Sequence, residues 1–533
     1  RTALCSRMLA SPTQSWVAAQ RARGCAGCVA IGFVAVGALV LTICIVLLVD
    51  SPGGSSPSPS PPPSPPPSPV PVYLPECTAH EKCSSLQGNC CPTPEGVLLK
   101  CCNAIPSNAS ISSFHGMCYA PTPSKNVTHF YTDDYMGEWA EPFWGSNGRD
   151  DLAIVRSLNV DTLRLYGNDP RLNHLSFLNR AYQLGLGVVV AVSDYPYTQD
   201  PTGKCAAGAP YNCFREIRSQ YSDMLRNGFA NKASDGQMYY HPSIKAIILI
   251  NEPELKITYN GTIAQKTWSE GYYAKALLSA VDGALAAEDD LRIAGRRPPF
   301  TVVHSFATCE LCKSNKAGNR AGEALVGTLA SLGFIYDLVV GLLSPQLYDY
   351  VPKHDLRAAL QQRIMLGFNT QDTTDVICQQ VLQPLQSSPL SSFPIWAGEY
   401  KAWYQSLPES KISDFKEDYK KIASWTAGTG SCDGSRVSLT GVSLFEFQIS
   451  YFKGEADHQM DFGMYQLGKK QIGTTPKVEE TQWKEYPVWC LKQRRNNAGE
   501  TWVDAVAQVL GGKAHSDSDC PDSESSEYLT VMS

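Results

Sequence analysis

The chain has 533 residues, of which 43% are apolar and only 18% charged, with a net charge of −6. It can therefore bury a large core. Its pI near 5.9 excludes the basic face expected of a general nucleic-acid binder.

Residues 1–23 carry Arg1, Arg7, Arg21 and Arg23 and no acidic residue. Residues 24–49 are 26 uncharged positions, densest from Val29 to Val49. About 20 apolar residues span the hydrocarbon core of a bilayer, whereas a secretory signal has an apolar region of roughly 7–15. The run reads as an uncleaved transmembrane signal anchor. By the positive-inside rule the arginines keep 1–23 in the cytoplasm. The expected topology is a single-pass type II membrane protein, with everything after Asp50 extracellular or lumenal. Fifteen of the nineteen cysteines and three N-x-S/T sequons (Asn108, Asn126, Asn260) lie on that side. Disulfides persist there.

Residues 50–76 form a Pro/Ser-rich stalk that should extend as polyproline II. Residues 77–112 include six cysteines, Cys77, Cys83, Cys90, Cys91, Cys101 and Cys102, in the spacing C-x5-C-x6-CC-x9-CC. They imply a small disulfide-held unit, acting as a collar or as a sugar-binding module.

From 113 to 475 short apolar strands alternate with amphipathic segments. The expected strands are Phe114–Tyr119, Val160–Tyr166, Gly187–Ser193, Ile244–Asn251, Phe300–Ser305, Leu338–Tyr348, Phe393–Glu399 and Gly441–Gln448. Helices are expected at Leu152–Leu158, Leu175–Leu184, Tyr272–Leu285 and Asp414–Ala427. Continuous apolar runs suit strands buried on both faces. Eight of them alternating with helices predict an α/β fold, a (β/α)8 TIM barrel. A doubly wound open sheet lacks support, since no G-x-G-x-x-G or Walker motif occurs. The C-terminal extension 476–512 should include an amphipathic helix over 497–511, followed by a disordered acidic tail, 513–533. Cys309 with Cys312, and Cys205 with Cys213, are expected to pin loops. The odd count of fifteen leaves at least one thiol free or paired between chains. No metal constellation is visible, and no cofactor is expected.

Barrel enzymes do their chemistry at the C-terminal ends of the strands. The fourth strand delivers Asn251-Glu252-Pro253 there, and the seventh delivers Glu399-Tyr400. A carboxylate at the end of an apolar strand is costly unless it faces a polar cleft. Two converging on one mouth suggest paired acid–base and nucleophilic work. Tyr166, Tyr195, Tyr197, Tyr350, Tyr400, Trp403 and Phe445 cluster at strand ends as candidate sugar platforms. Glu254 and Glu446 are weaker rivals to the pair, and His304 could line the cleft.

The segments INEPE (Ile250–Glu254) and WAGEY (Trp396–Tyr400) resemble those of the clan A retaining β-glycosidases. TLRLYGNDP (Thr162–Pro170) is similar to the strand-two segment of glycoside hydrolase families 17 and 72. These are β-1,3-glucanases and β-1,3-glucanosyltransferases. The GEY around Glu399 is nearer the transferase pattern, and Phe445–Lys470 is nearer the hydrolase pattern. NEP departs from both families and is similar to family 5 cellulases. The resemblance implies that Glu252 is the acid/base and Glu399 the nucleophile. It also implies that Asn251 donates to the sugar 2-hydroxyl and that Arg164 pairs with Glu399. Tyr348, read as the end of strand six, could donate to the same carboxylate. With Tyr166, Tyr195, Tyr400, Trp403 and Phe445 these residues form the expected substrate-binding set. The expected function is cleavage of β-1,3-glucan through a glycosyl-enzyme. The alternatives are glucanosyl transfer that remodels wall glucan, and a catalytically inactive wall-binding scaffold. The expected partners are a β-glucan poly- or oligosaccharide and the membrane.

Overall fold

The computed structural model describes residues 111–125, 132–192, 205, 211–253 (except 234), 257–259, 267–268, 270–304, 328–341, 349–453 (except 433, 434, 436 and 438), 460–520, and 85, 87 and 88. All of them belong to one compact unit, Tyr73–Ser533. The proposed anchor, stalk and cysteines 77–102 lie outside the described residues. So do Tyr195, Tyr197, Tyr348, Glu254, Cys309, Cys312, the three sequon asparagines and residues 521–533. Among the described residues no helix is long and apolar enough to cross a membrane.

Eight parallel strands close into a barrel. They are β1 (Phe114–Cys118), β2 (Thr162–Arg164), β3 (Gly187–Ala191), β4 (Ile244–Asn251), β5 (Phe300–His304), β6 (Ile364–Thr370), β7 (Ile395–Tyr400) and β8 (Gly441–Leu444). β1 pairs with both β2 and β8, which completes the ring. Along each strand side chains alternate between the barrel interior and the surrounding helices. Phe114, Val189, Ala191, Ala246, Ile248, Val303, Met365 and Trp396 fill the interior. Trp396 donates its indole N–H to Thr301 Oγ1 at 3.1 Å, which satisfies the one polar atom of a ring buried in the barrel. The other strand face packs against α1 (Asp151–Ser157), α2 (Leu175–Gln183), α3 (Phe214–Met224), α4 (Glu270–Asp290), α5 (Thr328–Val339), α6 (Leu356–Arg363) and α7 (Ile412–Thr426).

The sixth strand corrects the sequence expectation. Leu338 and Val339 end helix α5, and the barrel strand is Ile364–Thr370. A short apolar run such as LVVGLL does not distinguish a buried strand from a buried helix. Among the described residues, α5 and α6 lie between β5 and β6, and Tyr348 falls outside strand six.

After β8 the chain forms an antiparallel hairpin, β9 (Tyr465–Thr474) with β10 (Pro487–Gln493), then helix α8 (Trp502–Leu510). Thr501 caps α8 by accepting from the backbone N–H of Asp504, and Gly511 ends it at φ 72°, a conformation glycine tolerates. Trp502 anchors the helix to the barrel by donating to Gln405 O at 2.9 Å. Residues 513–520 of the acidic tail are among the described residues and pack against the hairpin. Cys520 is buried and disulfide-bonded to Cys490. Asp517 accepts from the Gln493 backbone N–H at 3.0 Å and pairs with Lys492 and Arg495. Composition alone does not show that Asp517 is held by the basic residues of β10 and just after it.

Cys205–Cys213 is bonded, and so is Cys378–Cys432. Among the described residues Cys118 is a free, buried thiol.

Candidate active site

The strands that carry the two glutamates share one irregularity. In β4 the register against β5 passes from Ile248 directly to Ile250, skipping Leu249. In β7 the register against β6 passes from Ala397 to Glu399, skipping Gly398. A one-residue bulge flips every later side chain to the opposite face. In β7, Trp396 points into the barrel and strict alternation would bring Tyr400 in as well. The bulge instead turns Glu399 to the mouth and Tyr400 to the outer layer. In β4 it turns Ile250 outward and brings Asn251 to the mouth.

Gly398 leaves no room for a side chain. A Cβ there would lie 2.9 Å from Asn369 Oδ1 and 2.9 Å from Val303 Cγ1. Gly398→Ala is therefore expected to displace Glu399 and lower kcat by roughly tenfold or more. Steady-state kinetics beside a thermal melt checks this, and an unchanged kcat would contradict it.

Arg164, at the end of β2, is the centre of the site. It is fully buried. It donates from one terminal nitrogen to Glu399 Oε1 at 2.5 Å and from the other to Asn251 Oδ1 at 2.8 Å. Its guanidinium lies 4.1 Å from the centre of the Tyr166 ring. Burial works against its charge, but Tyr166, Glu399, Cys118 and Glu252 outweigh burial and raise its pKa. Only an arginine can hold two acceptors this way, because its planar fork offers several fixed N–H groups.

Glu252 follows Asn251 at φ 52°, a left-handed conformation that non-glycine residues seldom adopt. Its backbone N–H donates to Val303 O at 2.6 Å. Its Oε1 accepts from Asn369 Nδ2 at 3.1 Å. Asn369 is the register partner of Glu399. One frame, Glu252–Asn369 across β6 and Glu399–Arg164–Asn251 across β2, thus joins both carboxylates at one end of the barrel. Asn369 escaped the sequence reading because strand six had been placed elsewhere. The polar NT ending of IMLGFNT was the available signal.

Beneath the frame, the Cys118 thiol donates to Gly398 O at 3.4 Å, and burial raises its pKa to about 12. Cys118 packs with Phe445, Phe462 and Tyr166.

The expected platforms divide. Tyr166 sits at the mouth, but the Arg164 guanidinium covers one face of its ring. Phe445 is buried, set edge-on to Phe462 at 5.3 Å with the Lys453 ammonium 4.7 Å from its centroid. Tyr400 is corrected: it points away from the mouth and donates to Asp418 of α7 at 2.5 Å. Tyr350 donates to Asp282 of α4, also away from the mouth. Trp403 begins a short turn, Trp403–Ser406, and its side chain is outside the described residues. His304 is corrected as well. It faces outward, with Nε2 2.9 Å from Tyr273 Oη of α4, and burial lowers its pKa to about 3.

Glu446 is fully enclosed. Its Oε2 accepts from Ser450 Oγ at 2.8 Å, and burial raises its pKa against the pull of Lys453. Lys401 is buried too, donating to Phe462 O at 2.7 Å. It thereby ties the chain after β7 to the loop that carries Phe462. Among the described residues no group of three His, Cys, Asp or Glu could hold a metal ion.

Solved structures similar to this chain include Saccharomyces cerevisiae Gas2p in complex with laminaripentaose (11% identity, 76% of this chain and 65% of that one, TM-score 0.37). The AHE enzyme from Alicyclobacillus herbarius is another (14% identity, 75% and 98%, TM-score 0.40). A third is CJP38, a β-1,3-glucanase and allergen of Cryptomeria japonica pollen (14% identity, 66% and 95%, TM-score 0.37). No protein-family model and no curated protein matches the chain. The closed parallel barrel carries at its strand ends the INEPE and WAGEY segments, on which the sequence resemblance to the clan A retaining β-glycosidases rests.

Proposed function

We propose that this chain is a retaining glycoside hydrolase that cleaves β-1,3-glucan through a glycosyl-enzyme intermediate. The observation that carries the proposal is the hydrogen-bonded frame in which Arg164 holds both Glu399 and Asn251 while Asn369 holds Glu252. Glu399, hydrogen-bonded to the buried Arg164 guanidinium, attacks the anomeric carbon. Glu252 gives its proton to the departing glycosidic oxygen. The resulting Glu399 ester is then opened by water, whose proton returns to Glu252. Each carbon inversion cancels the other, so the product keeps the β configuration. Asn251 has its oxygen turned to Arg164, so its amide nitrogen is the end that can donate to the sugar 2-hydroxyl. In this reading residues 24–49 anchor the protein in a membrane, and the stalk carries the barrel on the outer or lumenal side.

Replacing water by a sugar hydroxyl in the second step would make the same site a glucanosyltransferase. Incubation with linkage-defined oligosaccharides separates the outcomes. The expected products from β-1,3-linked substrates are shorter than the substrate, with new reducing ends. Products longer than the substrate would replace hydrolysis by transfer. Turnover of β-1,4-linked chains alone would overturn the linkage.

A further inference from the structure

The turn between β9 and β10 presents a tryptophan to water. Trp483 is 68% exposed, unusual for the largest aromatic side chain. Its backbone is nevertheless fixed by hydrogen bonds within the turn. Its backbone N–H donates to Val478 O at 2.7 Å, and the N–H of Gln482 donates to Glu479 O at 2.8 Å. The buried Thr481 hydroxyl is 2.8 Å from Lys484 O and 3.0 Å from Val478 O. Gln482 and Trp483 sit at φ 51° and 59°, where L-residues with large side chains are disfavoured. A disfavoured backbone holding an exposed indole has no evident folding purpose.

The hairpin that carries the turn starts at the mouth end of the barrel: the Met464 N–H donates to Glu446 O at 3.0 Å and the Tyr465 N–H to Phe447 O at 2.9 Å, in the segment that leaves the C-terminal end of β8. Glu479 and Glu480 act electrostatically on Arg171, just beyond the end segment of β2. Tyr486 acts on Tyr135, and Lys469 acts on Lys125, both in the connection that leaves β1 at its C-terminal end. The charges of the turn nearly cancel: Lys477 and Lys484 stand against Glu479, Glu480 and Glu485, and Lys477 pairs with Glu485 at 3.4 Å. Such surroundings do not select a charged ligand. A flat indole among mixed polar groups suits the C–H face of an uncharged sugar ring.

We propose that Trp483 is a distal binding platform for a β-glucan chain, outside the cleft that holds Glu252 and Glu399, and that it selects long chains over short ones. The proposal rests on the glucan reading above. The test compares full-length wild type, Trp483→Ala and Trp483→Tyr on laminaritriose and on soluble long-chain β-1,3-glucan. It adds retardation of each protein in gels containing that polymer. Trp483→Ala is expected to raise KM for the polymer about tenfold, leave kcat and the trisaccharide KM unchanged, and reduce retardation. Trp483→Tyr is expected to restore most of the effect. Equal losses on trisaccharide and polymer, or no change on either, would overturn the platform. If wild type is retarded by glucan but turns over none, the hydrolase reading fails. Loss of retardation in Trp483→Ala would still support the platform, and unchanged retardation would overturn it.

Discussion

Glu399→Ala is expected to lower kcat by roughly 10⁴-fold or more while glucan binding persists. The residue is the proposed nucleophile, and among the described residues no other carboxylate is bonded to Arg164. Glu446 comes nearest in character, but it is enclosed and turned to Ser450. Glu252→Ala is expected to cost about 10²–10⁴-fold, the usual contribution of a general acid. An activated aryl β-glucoside needs no proton for its leaving group, so Glu252→Ala should still form the glycosyl-enzyme from it. Added azide should then capture that intermediate as the β-glycosyl azide. The same anion with Glu399→Ala should give the α-glycosyl azide, by a single displacement. Unchanged rates in either variant, or the same azide anomer from both, would overturn the assignment of roles.

Arg164→Met is expected to damage both activity and fold. The arginine is fully buried, and the side chain of Glu399 is only 18% exposed. Removing one partner of a buried pair leaves the other charge uncompensated, at a cost of roughly 3–5 kcal/mol. The loss extends further, because Asn251 and the Tyr166 ring are held by the same guanidinium. Arg164→Lys is expected to recover stability only in part, since an ammonium cannot reproduce the two-acceptor fork. Thermal melts and steady-state kinetics check this. A melting temperature and kcat within error of wild type for Arg164→Met would contradict it.

Most of the barrel was legible because its strands are unbroken apolar runs ending in polar residues. Ile244–Asn251 and Ile395–Tyr400 are examples, and both glutamates follow from their position at such ends. The errors came from two physical sources. One is the ambiguity of short apolar runs, which placed strand six in the end of helix α5 and hid Asn369. The other is the bulge. Period-2 reasoning has no means of seeing that Leu249 and Gly398 are skipped, and so could not assign the faces of Glu399 and Tyr400. His304 failed for a related reason: at a strand end the sequence names the residue but not the side on which it emerges. Trp483 was missed because a lone tryptophan in a polar loop has no periodicity to mark it.

The central claim is that Glu399 becomes covalently bonded to sugar during turnover. Incubation with a 2-deoxy-2-fluoro-β-laminaribiosyl fluoride, digestion and mass spectrometry test it directly. A fluorosugar on Glu399, lost when glucan acceptor is added, is the predicted result. A label on Glu446 or Glu252, or no label from an enzyme that still cleaves glucan, would contradict the account.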